Sequence, residues 1–124
     1  MSTLKQTITD KAINRFTLFS DVLTLLNKSD STIETIVSSI IAHIERNIPH
    51  LLCSVLVLDE TKTRLHILEA PNLPNFYNKA IDGIMIGEGI GSCGTSAATG
   101  KRVIIEDVLE HSFWKDYKDL AKQV

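Results

Sequence analysis

Only five residues, Asp59-Glu60-Thr61-Lys62-Thr63, all polar, separate the apolar run Cys53-Ser54-Val55-Leu56-Val57-Leu58 from a second run, Arg64 to Ala70. A parallel pair of strands needs a crossover of about a dozen residues or more, so these two runs pair antiparallel as a hairpin. The near-continuous apolarity of the first run predicts a strand buried on both faces. Everything before and after the hairpin must then supply the layers that cover it.

Before it, Ala12, Phe16, Phe19, Leu23 and Leu26 recur at alternating spacings of four and three, with Val22 and Leu25 beside the seam. This predicts a helix whose seam packs either on its own domain or on a partner chain. Ser31 and Glu34 have the spacing of a capping box, and Ile33, Ile36, Val37, Ile40, Ile41, Ile44 and Ile48 then mark one face of a second helix that Pro49 stops. After the hairpin, Leu73, Phe76, Tyr77, Ala80 and Ile81 predict a short helix ending near Gly83. Ile84-Met85-Ile86 reads as a brief strand, Gly91 to Thr99 as a small-residue helix closed by Gly100, and Arg102 to Asp107 as a fourth strand. A last helix carries Phe113, Tyr117, Leu120 and Val124 on one face. The expected class is α+β: five helical segments around a mostly antiparallel sheet of four strands.

The chain has 124 residues, room for one domain, with 44% hydrophobic and 23% charged residues. Area scaling gives roughly 6,600 Å² of exposed surface if a core of this mass closes completely. A formal charge of -2 shows no footprint for duplex nucleic acid or an anionic membrane. No apolar run approaches the ~20 residues of a membrane span, nor is there the apolar h-region of a signal peptide, so a cytoplasmic protein is expected. Cys53 and Cys93 lie forty residues apart without CxxC spacing, and His43, His50, His66 and His111 lack zinc spacing. No metal site is expected from them.

Gly89-Ile90-Gly91-Ser92-Cys93-Gly94 matches the dinucleotide fingerprint G-x-G-x-x-G. The match is formal only, because seven residues, Thr95 to Lys101, precede the next strand, too few for a crossover helix. The phosphate-loop pattern fails as well, with Arg102 standing where Ser or Thr would hold magnesium. What remains is a tight turn opening a helix. Its backbone N–H groups, from Ser92 to Thr95, either favour an anion or are served by Ser92 as N-cap with no ligand at all. A thiol at such a turn can be reactive, but with no cationic neighbour in the local sequence Cys93 reads as a small packed side chain. Cys53 reads as a core residue.

From about Leu52 to Leu120 the chain resembles a GAF domain, the small-molecule-sensing module common in bacterial signalling proteins. The residues that carry the resemblance are Cys53 to Asp59, Ala70-Pro71-Asn72-Leu73-Pro74, Tyr77-Asn78, Ala80-Ile81-Asp82-Gly83, Ile86 to Thr95, Thr99 to Val103, Glu106-Asp107, Trp114 and Tyr117. The resemblance implies a GAF-like, PAS-related antiparallel sheet flanked by helices. Residues 1–49 would form an N-terminal helical pair and residues 50–124 the core of one domain. It also implies a ligand cavity bordered by Tyr77, Ile86, Ser92, Cys93, Thr95, Asp107, Phe113 and Trp114. The ligand would be a small molecule, nucleotide-like in some members, and no cofactor is specified. A homodimer through the N-terminal helices is the expected partner.

GAF domains of this kind continue with two more central strands, so the resemblance implies a partial domain or a sheet completed by another chain. The leading functional reading is a non-catalytic regulatory sensor that couples ligand binding to its helical dimer interface. The enzymatic alternative is free methionine-R-sulfoxide reductase, which shares the fold. Here Cys93 has no second cysteine in residues 101–124 to resolve an oxidised thiol. A ligand-free dimerisation module is the third reading.

Overall fold

The computed structural model describes residues 2–124, which form one compact unit up to Cys53 and a second from Ser54 onward. The first unit is helical. Helix α1 spans Ser2–Leu26 and α2 spans Ile33–Asn47, and the two pack against each other. The N-cap of α2 is Thr32, whose hydroxyl accepts from the Thr35 N–H at 3.2 Å. The expected Ser31–Glu34 box is therefore displaced by one residue, because the Ser31 N–H is already given to the Lys28 carbonyl in the preceding turn. The helix ends at Asn47, one residue short of Ile48 and two short of Pro49.

The second unit holds the hairpin. Strand β1 (Val55–Leu58) pairs antiparallel with β2 (Arg64–Glu69), which pairs antiparallel with β3 (Ile84–Met85), in the order β1-β2-β3. Asp59 builds the turn: its Oδ1 accepts from the Thr63 and Arg64 N–H groups and its Oδ2 from the Thr61 hydroxyl. Asp82 lengthens the sheet beyond β3, since its carboxylate accepts from the Ile67 N–H at 2.8 Å where no strand residue reaches.

Two expectations are corrected here. β1 is not covered on both faces; Val57 and Leu58 are both 44% exposed, and β1 is an edge strand of the described sheet. Arg102 to Asp107 forms no strand, because no described segment pairs with it. The sheet thus has three strands among the described residues, not four.

Helix α3 (Asn75–Ile81) follows the Pro71–Pro74 break, with Gly83 at φ +82° just beyond it as expected. Helix α4 (Gly91–Thr99) ends at Gly100 in the left-handed region, φ +68°. The expected last helix is split into a 3-10 turn, Ser112–Trp114, and a short helix α5, Lys118–Ala121. Leu65, Ala70 and Ile81 are the buried apolar residues of this unit. They place its core between β2, the loop that follows it and α3.

Candidate functional site

An apolar pocket opens between β1, α3, β3, the first turn of α4 and the Trp114–Tyr117 segment. Its walls are Leu56, Tyr77, Ile81, Ile84, Ile90, Gly91, Ser92, Cys93, Trp114 and Tyr117. It holds about 30 Å³ of free room, and the space between its walls out to the mouth is about 340 Å³. Ligand pockets commonly run to ~300–1,000 Å³, so this one suits a molecule of a few heavy atoms unless a wall moves.

The floor is set by the glycine turn. Gly94 brings α4 against β3 so closely that a Cβ there would meet the Ile90 Cβ at 2.9 Å and the Met85 carbonyl oxygen at 3.2 Å. Thr95, 3% exposed, fixes the turn from inside: its hydroxyl donates to the Gly91 carbonyl at 2.7 Å and accepts from the Gly89 N–H at 3.0 Å. The Gly87 N–H closes the loop onto the Gly94 carbonyl at 3.1 Å. Ser92 is not the N-cap; Ile90 occupies that position, without a side-chain cap. The Ser92 hydroxyl instead accepts from the Trp114 indole N–H at 2.9 Å, which ties the 3-10 turn to the start of α4. Trp114 in turn meets Tyr117 edge-on, with ring centres 6.3 Å apart.

No lining residue is Lys, Arg, Asp or Glu, and Tyr77 and Cys93 respond to this low-polarity setting. Burial pushes the Tyr77 phenol up, with the nearby Cys93 adding to the shift. Cys93 keeps solvent access, yet the protein atoms crowding its thiol desolvate it and push its pKa up too. A thiol in that state is less ionised than a free one at neutral pH, the opposite of an activated nucleophile. Among the described residues no group of three or more His, Cys, Asp and Glu is placed to hold a metal ion.

Of the eight residues singled out from sequence, Tyr77, Ser92, Cys93 and Trp114 meet in this pocket. Thr95 lies beneath it as the brace of the turn. Ile86 is half-buried after β3 and gives its N–H to the Thr63 carbonyl. Phe113 stacks edge-on against His111 at 4.6 Å, away from the lining. Asp107 lies in a separate open groove with Ile104, Glu106, Glu110 and His111, where its carboxylate caps the Leu109 N–H. The sequence reading did not place Leu56, Ile81, Ile84, Ile90 and Tyr117 in the lining. Their apolar periodicity was visible, but periodicity marks a face and not which part of it is left uncovered.

The second unit is thus an α+β module with an apolar cavity braced on a glycine turn. The chain is 33% identical over 96 residues, 77% of its length, to the methyl sulfide methyltransferase-associated sensor of the archaeon Methanosarcina acetivorans. Those residues make up 10% of that protein, so the chain spans about a tenth of the relative it matches. No family model matches the chain, and no solved structure does. The likeness is to part of a sensor, which fits a sensing, regulatory role; the relative is archaeal, so it lends nothing to the bacterial setting of the family resemblance. Among the described residues no helix is long and apolar enough to cross a membrane.

Proposed function

We propose that residues 54–124 form a GAF-type sensor module, non-catalytic and cytoplasmic, which binds a small uncharged organic molecule in the apolar pocket. The observation that carries this reading is the pocket wall itself, ten residues without a formal charge around a cavity that stays partly open. The phosphate of a nucleotide is held most strongly by cationic side chains, and the wall offers neither Lys nor Arg. The raised Cys93 pKa supports a binding role over thiol chemistry.

Signalling follows from geometry at one contact. Trp114 and Ser92 belong to different elements and share one hydrogen bond, so a ligand that needs Trp114 displaced and one that needs it in place select different arrangements of the module. Only such differential affinity shifts an equilibrium. The relay to the N-terminal helices is part of the proposal. A thermal-shift panel tests the ligand class: small thioethers, alcohols and aromatics against nucleotides and metabolite anions. At about a hundred times its Kd, a ligand adds ~2.7 kcal/mol of stability. Stabilisation by uncharged compounds is expected; stabilisation by nucleotides alone would overturn the reading.

A further inference from the structure

The polar side chains of the pocket wall are the hydroxyls of Tyr77, Ser92 and Tyr117 and the Cys93 thiol. No carboxylate, amide or imidazole side chain lines it. Ser92 is the most constrained of the four. Its oxygen accepts from the Trp114 indole N–H at 2.9 Å, so one lone pair is occupied and the hydroxyl proton is turned away from Trp114. Among the described residues no group accepts that proton. A hydroxyl that already accepts a hydrogen bond is polarised into a better donor, and an apolar surrounding strengthens the bond it then makes.

We infer that Ser92 is the specificity-determining residue of the pocket, and that the ligand carries an uncharged hydrogen-bond acceptor, a carbonyl or ether oxygen, that takes the Ser92 proton. This rests on the reading of the pocket as a site for uncharged molecules and narrows the class. A few placed polar groups in an apolar pocket are what orient a small ligand. A hydrocarbon of the same shape strips water from the Ser92 hydroxyl and returns no bond, which leaves a desolvated donor.

The rest of the wall favours an acceptor over a donor. Burial keeps the Tyr77 phenol and the Cys93 thiol protonated, so neither offers an anion to an incoming N–H or O–H. Leu56, Ser92 and Cys93 also edge a wider open groove beside the pocket. A Ser92 proton lying in that groove would meet water and give the ligand nothing, an arrangement that predicts no preference for an acceptor.

Cyclopentanone and methylenecyclopentane, which share a shape and differ in one acceptor oxygen, separate these cases. Both are titrated by calorimetry into the 124-residue chain and its Ser92→Ala variant. The ketone is expected to lose about fivefold in affinity relative to the hydrocarbon in Ser92→Ala, the effect of one net hydrogen bond. The infrared carbonyl stretch of the bound ketone is expected below its value in a hydrocarbon solvent, and to move back towards it in the variant. Should Ser92→Ala fail to fold, Ser92→Cys, similar in shape with a weaker donor, carries both measurements. A ketone no more sensitive to the substitution than the hydrocarbon, or a carbonyl stretch that the substitution does not move, would overturn the role of Ser92 and leave the pocket reading standing. If neither compound binds, nor any other uncharged compound of the thermal-shift panel, the pocket reading itself fails and the inference with it.

Discussion

At Gly94 the absence of a side chain lets α4 sit directly against β3. A methyl group there would have to displace the Ile90 side chain and press on the Met85 carbonyl oxygen, which belongs to β3 and has little freedom to move. Overpacking of this kind costs about 1–3 kcal/mol. Gly94→Ala is therefore expected to lower the urea midpoint by a corresponding amount, whereas an unchanged midpoint would mean that α4 does not sit so tightly on β3. Ser92 shows what sequence could not supply. Its place at the head of a small-residue helix suggested a cap, but its hydroxyl is spent on an indole 22 positions away, and no local rule foresees a partner so distant. Tyr77 and Cys93, by contrast, are site candidates through the family resemblance and not through any local pattern, and both line the pocket.

The hairpin is the element that sequence determined best, since polar residues too few for a crossover leave one way to pair. Its turn adds a pH dependence of known sign. The Thr63 N–H, with help from the Arg64 N–H and the Thr61 hydroxyl, holds the Asp59 carboxyl below its ordinary value of 3.8, against a partial rise from desolvation. A carboxyl depressed in the folded state stabilises the fold above its unfolded pKa, and that contribution is lost as pH falls through the lower folded value. Urea midpoints should thus decline as the pH drops below about 4, and Asp59→Asn should flatten that part of the profile; superimposable profiles would contradict the role of Asp59. The fourth strand expected over Arg102 to Asp107 does not form, for a related reason. Val103, Ile104 and Ile105 have the composition of a strand, but a strand exists only where a neighbour accepts its hydrogen bonds. Ile104 is left 74% exposed with none described beside it.

At the scale of the whole molecule, each unit leaves apolar surface uncovered, the α1 seam in one and the exposed residues Val57 and Leu58 of β1 in the other. Both are surfaces of the kind that a partner covers. The ligand claim is the more direct one, and the chain carries its own reporter, because Trp114 is its single tryptophan and lies in the pocket wall. The decisive measurement is a fluorescence titration of the 124-residue chain with small uncharged organic compounds, repeated on Ile84→Trp/Trp114→Phe, which fills the pocket from β3 and moves the reporter. Saturable change with at least one uncharged compound, weakened in the filled variant, is the result expected; saturation only by nucleotides or other anions, or equal binding by the filled variant, would contradict the account.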